Sequence, residues 1–261
     1  MQTVDKAFTL LKLFSTTQPE IGLSELARQS GFDKAATRRF LLALEKHQFI
    51  EQNLQTKAYR LGAGFLRYSQ IREEMFPIQA VVKQSLERLT QLTRETCHGS
   101  MIIGDTLSTV GVCLSERSNR VHISAADELP LNATASGFAY MAFSGYFPSQ
   151  NQLENLSVFT NKTLTEPDDL HKKIQDAKRL GYSMVQGHFE EDVTGVAVPI
   201  FSSDQTSIGA LAVASPSSRM SQEHIELICG ALFQETEAVS THLGGQLPTN
   251  YQQLIDARLA A

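Results

Sequence analysis

The chain has 261 residues, of which 42% are hydrophobic and 20% charged, a balance that excludes an extensively disordered protein. No run approaches the roughly 20 apolar residues that a membrane helix needs, and residues 1–6 lack the basic and apolar segments of a secretory signal. The three cysteines are too far apart for a disulfide framework or a zinc site, so we expect a cytoplasmic protein without a membrane partner.

The formal net charge of −5 conceals an uneven distribution. Residues 1–68 carry ten lysines and arginines against six acidic residues, whereas acidic residues are in excess in the remainder. A small basic head on a larger acidic body indicates two domains with different partners. A chance fluctuation over a short segment would look the same, so this division needs support from motifs.

Three helical patterns open the chain. The first is a series of apolar residues at helical spacing, namely Ala7, Phe8, Leu10, Leu11 and Phe14. A second helix is expected to begin at Ser24, whose hydroxyl can cap backbone N–H groups. Gly31 then allows the positive φ of a tight turn, and Asp33 is expected to cap a third helix that runs to about His47. Two short helices joined by a glycine-containing turn are typical of a helix-turn-helix.

The third helix is predicted to have a basic, exposed face opposite its apolar stripe. Arginine can bond guanine O6 and N7 as a fork, threonine can contact a base or a thymine methyl, and lysine mainly contacts phosphate. A solvated basic face would have the same composition. The residues expected on this face are Lys34, Ala35, Thr37, Arg38 and Lys46, with Arg39 at its edge.

A hairpin is predicted directly after the third helix, because strand-like runs at 49–52 and 58–61 flank a polar stretch. Lys57 and Arg60 lie at or beside its tip, where a wing could contact the DNA backbone or minor groove. Three helices and a basic hairpin describe a winged helix-turn-helix over residues 1–62, with double-stranded DNA as the partner. The candidate DNA-contacting residues are Ser24, Lys34, Ala35, Thr37, Arg38, Arg39, Lys57 and Arg60.

The remainder of the chain is predicted to form a linker helix and an α+β domain. Residues 63–96 are helical in pattern and interrupted at Pro77, so we place a linker helix at 63–80. Its apolar face could pair with a second copy or pack on its own domain. A mostly antiparallel sheet with helices around it is expected over 81–245, followed by a tail at 246–261. The predicted strands are 100–103, 109–115, 120–125, 182–186, 195–201 and 208–214, and the predicted helices are 132–144, 167–180 and 221–243.

A run of small residues suggests a binding pocket in the body. Ala135, Ser136 and Gly137 lie near a predicted helix start, where free N–H groups and the helix dipole favour a carboxylate. Small side chains there let a ligand approach the backbone. Close packing of the helix on the sheet would explain the same residues.

Several motifs in both domains carry a family resemblance. In the head they are the segment 31–41, from Gly-Phe-Asp-Lys to Arg-Phe-Leu, and Tyr-Arg-Leu-Gly at 59–62; in the body they are 129–137, 196–200, 209–216 and Arg219. Their order and spacing over residues 3–243 resemble the IclR-type transcriptional regulators. The resemblance implies a GAF- or profilin-like effector-binding fold, dimers or tetramers, and control of transcription by a small metabolite. Lys34-Ala35-Ala36 stands where the family commonly has Lys-Ser-Thr.

The resemblance also implies which strand residues face the effector. Matching by position points to Val185, Gly195, Ala212 and Ala214, in addition to Ala135, Ser136 and Gly137. Ala212 and Ala214 stand where family members that bind small keto acids tend to have a Ser-x-Ser pair. The floor of the pocket is therefore expected to be roomier and more apolar, which favours a larger organic acid, aromatic acids among them.

The sequence nominates no catalytic residue, metal site or cofactor. It contains no Gly-x-Ser-x-Gly elbow, phosphate-cradling glycine loop or His-Glu-x-x-His. Thr96-Cys97-His98 is expected to be a buried cysteine beside a surface histidine, and the acidic run 190–192 a solvated loop that could also pair with a cation. We therefore expect a ligand-responsive DNA-binding regulator, acting as a repressor. The alternative is a hydrolase-like enzyme or sensor domain that carries a DNA-binding module.

Overall fold

The structure is a computed structural model that describes residues 3–75, 77–124 and 128–259. The chain divides into two units, Met1–Pro77 and Ile78–Ala261. The division coincides with the predicted helix break at Pro77, because proline lacks the N–H that would continue the preceding helix. The second unit therefore begins at Ile78, slightly before the predicted start at residue 81.

The first unit consists of helices followed by a short hairpin and one further helix. Their order confirms the winged helix-turn-helix prediction, and the two strands of the hairpin pair antiparallel. Its core is formed by the buried residues Leu10, Ile21, Leu26, Leu41, Ile50 and Tyr59. The elements are α1 (Thr3–Leu11), α2 (Leu23–Ser30), α3 (Lys34–Lys46), β1 (Ile50–Gln52), β2 (Tyr59–Leu61) and α4 (Gly64–Met75).

The N-cap of α2 differs from the prediction, whereas the N-cap of α3 is the predicted residue. Gly22, not Ser24, is the N-cap of α2, and its carbonyl accepts the amides of Glu25 and Leu26 at 3.1 and 2.9 Å. Ser24 lies exposed in the first turn. The turn itself is as predicted: Gly31 has φ +71°, and Asp33 caps α3 by accepting the amide of Ala36 at 2.8 Å.

Thr37 is buried, so its prediction as an exposed residue of the recognition helix is wrong. It lies four residues before Leu41 on α3, which places both on the inner face. Its hydroxyl donates to the carbonyl of Asp33 at 2.9 Å. The neighbouring Arg38 and Arg39 are exposed, as expected.

The second unit is an α+β domain built on an antiparallel sheet. Its elements are α5 (Ile78–Thr93), β3 (Thr96–Ile103), β4 (Thr106–Cys113), β5 (Glu128–Leu129), α6 (Ala135–Ser144), α7 (Gln150–Leu153), α8 (Pro167–Leu180), β6 (Ser183–Gln186), β7 (Val193–Phe201), β8 (Ser207–Pro216), a 3₁₀ turn (Ser217–Arg219), α9 (Gln222–His242) and α10 (Thr249–Leu259). The strand order is β5-β4-β3-β8-β7-β6, and every neighbouring pair runs antiparallel, which confirms the predicted fold class.

Three predicted elements of this unit are corrected. The strand predicted at 120–125 is irregular over 120–124, and residue 125 lies outside the described residues. The helix predicted from residue 132 begins at Ala135, because Thr134 is extended and caps it by accepting the amide of Gly137 at 3.0 Å. The predicted tail contains α10, whose Tyr251 and Ile255 are buried in the domain core.

Helices cover both faces of the sheet. His98, Ala212 and Ala197 are paired across β3, β8 and β7, so their side chains share the face that α6 and α8 cover. The alternate residues Cys97 and Val213 face α5 and α9. The α6 side carries mainly alanine and glycine on β7 and β8, which leaves space between sheet and helix.

Candidate functional site

A cavity of about 80 Å³ lies between the start of α6 and one end of the sheet. Of the seven residues predicted to bind an effector, those on its lining are Ala135, Ser136, Val185, Gly195, Ala212 and Ala214. Gly137, the seventh, is not on the lining. A Cβ at Gly137 would clash with the backbone of Leu131, and the glycine therefore allows α6 to pack closely on that segment.

The cavity exists because the residues beneath it are small. A Cβ at Gly195 would lie 3.3 Å from the Cβ of Ala135, so any larger residue would fill the gap between β7 and α6. Ala212 and Ala214 continue this low floor along β8. The apolar floor agrees with the expectation drawn from the absent Ser-x-Ser pair.

Hydrogen-bond donors gather at one end of the cavity. The hydroxyl of Thr134 caps Gly137 and donates to the carbonyl of Pro130 at 2.8 Å. The amides of Ala135 and Ser136, at the first two positions of α6, have no acceptor within the described ranges. These amides and the positive end of the helix dipole suit an anionic oxygen.

His98 belongs to this polar end, although the sequence analysis placed it on the surface. It is 6% exposed, lines the cavity, and its Nε2 lies 3.3 Å from the hydroxyl oxygen of Ser136. Cys97 points to the opposite face, as expected, and burial raises the pKa of its thiol to about 12. Both side chains are buried because helices cover both faces of the sheet. The absence of charge from Thr96 to Ile103 was the available signal for a doubly covered strand.

His188 is a second histidine that the sequence analysis did not single out. Its Nδ1 is buried without a hydrogen-bond partner in the part of the chain that the structure describes, and its ring lies edge-on to Phe138. Burial lowers the pKa of His188, and Lys173 and Lys162 lower it further. The imidazole is therefore neutral at physiological pH and can donate or accept. The acidic run that follows it, 190–192, is exposed as predicted.

The predicted DNA-contacting residues lie on the first unit with different exposures. Lys34, Ala35, Arg38 and Arg39 are exposed on α3, and Ser24 is exposed on α2. Lys57 is exposed at the hairpin tip in the left-handed conformation, with φ +60°. Arg60 is half-exposed on β2, where it pairs with Glu51 at 2.6 Å and Glu20 at 3.4 Å. These two pairs neutralise part of the charge that it can offer to phosphate.

Neither metal ligands nor membrane spans are found in the described ranges. Groups of three or more His, Cys, Asp or Glu residues arranged to hold a metal ion are absent from residues 3–75, 77–124 and 128–259. In the same ranges, every helix is too short or too polar to span a bilayer.

Comparison with known proteins identifies the family. The model described as "Bacterial transcriptional regulator IclR C-terminal" matches residues 74–241, and the IclR helix-turn-helix domain matches residues 3–54. The chain belongs to the IclR family. The HTH-type transcriptional regulator XynR of Escherichia coli K12 is 26% identical, over 94% of this chain and 98% of that protein. The glycerol operon regulatory protein of Streptomyces coelicolor is 24% identical, over 94% and 97%.

Solved structures of IclR-type proteins share the fold. A regulator from a Silicibacter species is 34% identical, with a TM-score of 0.87 over 95% of this chain and 98% of that chain. An IclR homologue from Microbacterium hydrocarbonoxydans, solved with 4-hydroxybenzoate, is 20% identical, with a TM-score of 0.75 over 93% and 99%. The protein is thus a ligand-responsive, DNA-binding transcriptional regulator, and the enzyme alternative is excluded by the family.

Proposed function

We propose that this IclR-family regulator is a repressor that leaves its operator when an organic acid with an apolar body binds the cavity in the second unit. The observation that supports this ligand class is the division of the lining. Polar groups gather at one end, from the start of α6 and from His98, while Val121, Val185 and Phe189 contribute apolar walls.

The donors are suited to a single carboxylate. The described lining residues include no lysine or arginine, and Glu190 is acidic, so a single anion would be held by the amides of Ala135 and Ser136 and by the polar side chains at that end of the cavity. Hydrogen bonds to a charged acceptor are about twice as strong as neutral ones. A polyanion would leave further charge against apolar walls, at a large desolvation cost.

Aromatic acids are the first candidates. The Microbacterium homologue was solved with 4-hydroxybenzoate, and an apolar floor of Gly195, Ala212 and Ala214 suits a flat ring. The cavity of about 80 Å³ is smaller than the roughly 150 Å³ that hold benzene in an engineered cavity. A ring therefore displaces a wall on entry, and a ligand that binds one conformation better than another is what a regulatory response requires.

The first unit would contact the operator through α3 and the hairpin. Lys34, Ala35, Arg38 and Arg39 would face the major groove, with Lys57 and Arg60 on the backbone or minor groove and Ser24 on phosphate. Thr37 is left out because it is buried.

A second copy of the chain is part of the proposal. One recognition helix covers too few base pairs to select a genomic site, so a homodimer or homotetramer on a palindromic operator is expected, acting in the cytoplasm. The exposed apolar side chains of α1 and α4 suit such pairing. They include Val4, Phe8, Leu66, Ile71 and Met75.

A ligand panel tests the proposed effector class. We expect benzoate, 4-hydroxybenzoate and aliphatic carboxylates to include at least one acid that raises the thermal midpoint and releases DNA upstream of the protein's own gene in a mobility-shift assay. The matched amide, 4-hydroxybenzamide for 4-hydroxybenzoate, should act more weakly because it lacks the anion. Equal effects of acid and amide, or no effect of any acid, would contradict the proposal.

A further inference from the structure

Glu95 is a fully buried carboxylate that lies outside the cavity and contacts none of the predicted site residues. We propose that it is a positioning residue of the effector site: through Arg219 it holds in place two segments that each form a wall of the cavity. The proposal rests on the proposed function in taking this cavity as the effector site. The hydrogen bonds made by one short turn, Ser217–Arg219, support the proposal.

The carboxylate is held mainly by Arg219. The Nε and Nη2 atoms of Arg219 donate to its two oxygens at 2.7 and 2.6 Å. Arg117 approaches at 3.4 Å, and the Nε2 of His224 lies 3.8 Å away. The Glu95 side chain is 0% exposed and that of Arg219 is 21% exposed. A bidentate ion pair of this kind fixes the orientation of the two side chains as well as their distance. Removing one partner of a buried ion pair strongly destabilises the folded protein, because the other charge is left buried and unpaired.

The first wall is bound to this pair. Arg219 uses its remaining Nη1 to donate to the carbonyl of Asn119 at 2.9 Å. Thr96, the first residue of β3, follows Glu95 directly in the chain. Its hydroxyl donates to the carbonyl of Val121 at 2.7 Å and accepts the amide N–H of Ser115 at 3.2 Å. Val121, His122 and Ile123 then line the cavity. This segment has no strand partner in the described ranges, so these bonds to Thr96 and Arg219 take the place of a strand ladder.

The second wall is bound to the other end of the same turn. The amide of Ser217 donates to the carbonyl of Asp192 at 2.7 Å, and its hydroxyl lies 2.8 Å from that of Thr194. These residues follow His188, Phe189 and Glu190, which line the same cavity as residues 121–123. Ser217 and Arg219 are two residues apart, so one short turn is hydrogen-bonded to the two segments that supply the walls. The spacing of the walls then depends on where the turn sits, and Glu95 fixes that place.

Hydrogen exchange on the full-length protein tests the proposal without needing an effector. Glu95→Gln keeps the shape of the side chain and removes its charge. We expect amides in 115–123 and 188–193 to exchange about tenfold faster or more, with amides in the centres of β7 and β8 unchanged. Glu235→Gln is the matched control, because it breaks the Arg88–Glu235 ion pair (2.7 Å) between α5 and α9, away from both walls. It should leave both segments unchanged.

Two further variants separate positioning from general destabilisation. Arg219→Gln should accelerate hydrogen exchange in both walls. Arg117→Gln removes only the longer contact to Glu95, at 3.4 Å, and should accelerate hydrogen exchange in residues 115–123 alone. These variants also serve if Glu95→Gln does not fold. A uniform increase that includes the centres of β7 and β8, or an increase confined to one wall in Arg219→Gln, would overturn the proposal.

A binding readout connects the walls to the effector. With 4-hydroxybenzoate as the probe, the thermal shift should shrink in Glu95→Gln while its affinity for operator DNA stays at the wild-type value. If the wild type ignores this acid, the proposed ligand class fails, but exchange at the two walls still decides the role of Glu95. An unchanged acid response in a Glu95→Gln protein with loosened walls would overturn the role of Glu95 in the effector site.

Discussion

At the scale of single residues, neighbouring positions on α3 have opposite environments. Thr37 is buried and bonded to the carbonyl of Asp33, whereas Arg38 beside it is exposed. The helix turns about 100° per residue, so one position separates a core residue from a residue available to DNA. Arg38 is therefore exposed on α3, which is compatible with its proposed role in reading a base.

We expect Arg38→Ala to weaken binding to the operator by about 1–3 kcal/mol and to relax the preference at one base pair, if its fork reads a guanine. Lys57→Ala should weaken binding on all sequences alike and reduce the salt dependence, because a lysine at the wing contacts phosphate. Titrations on operator variants at two salt concentrations measure both effects. Equal, sequence-independent losses in the two variants would remove Arg38 from base readout.

The lowered pKa of His188 predicts a pH dependence of stability. Below the ordinary histidine value of 6.5, the unfolded chain binds a proton that the folded chain takes up only at lower pH, so stability falls as the pH decreases. We expect His188→Gln to lose less of its thermal midpoint between pH 7.5 and pH 5 than the wild type does. The exposed His122→Gln, on the same cavity, is the control. Identical acid sensitivity in wild type and His188→Gln would contradict the assignment.

At the scale of elements, α10 is part of the domain core rather than a tail. Residues 249–259 lie beyond the matched family region, which ends at 241. Tyr251 nevertheless stacks edge-on with Phe143 and Phe201, and its hydroxyl donates to the carbonyl of Gly181 at 2.8 Å. The hydroxyl fixes the helix to the turn between α8 and β6.

Tyr251→Phe should lower the free energy of unfolding by about 1 kcal/mol, because it removes this hydrogen bond and leaves a buried carbonyl without its donor. Urea unfolding followed by circular dichroism measures the change. Leu259→Ala, on the exposed end of the same helix, is expected to change stability little. A loss as large in Leu259→Ala as in Tyr251→Phe would show that the hydroxyl is not the anchor.

Elements with local signals were predictable from the sequence. The helix α8 has the predicted bounds because Pro167 lies in its first turn and Gly181 is its C-cap. The start of α3 was likewise predictable, because Asp33 is its N-cap. The segment 120–124 was predicted as a strand, but the bonds that hold it come from Thr96 and Arg219, far away in sequence. The burial of His98 likewise depends on α6, which is distant in sequence, and the only local sign of it is the absence of charge from Thr96 to Ile103. Site residues set by small side chains were predictable, and those set by long-range contacts were not.

At the scale of the whole molecule, DNA contact and effector binding are proposed for different units. A response then requires the effector to bind one arrangement of the protein better than another, and coupling energies of about 1–3 kcal/mol are typical. The small cavity and its two bonded walls would supply such a difference under the proposed function, because a ring that enters has to displace a wall. The central claim is that this cavity controls operator binding.

The measurement that tests this claim most directly is operator binding by wild type and Ala212→Val, titrated with an acid that releases the wild type. Ala212 is 1% exposed on the cavity floor, so the two methyl groups that valine adds occupy space that the acid would need, without the bulk of a ring that displaces a wall. We expect Ala212→Val to bind the operator with wild-type affinity and to stay bound at acid concentrations that release the wild type. Wild-type release by the same acid concentrations in Ala212→Val would contradict the account.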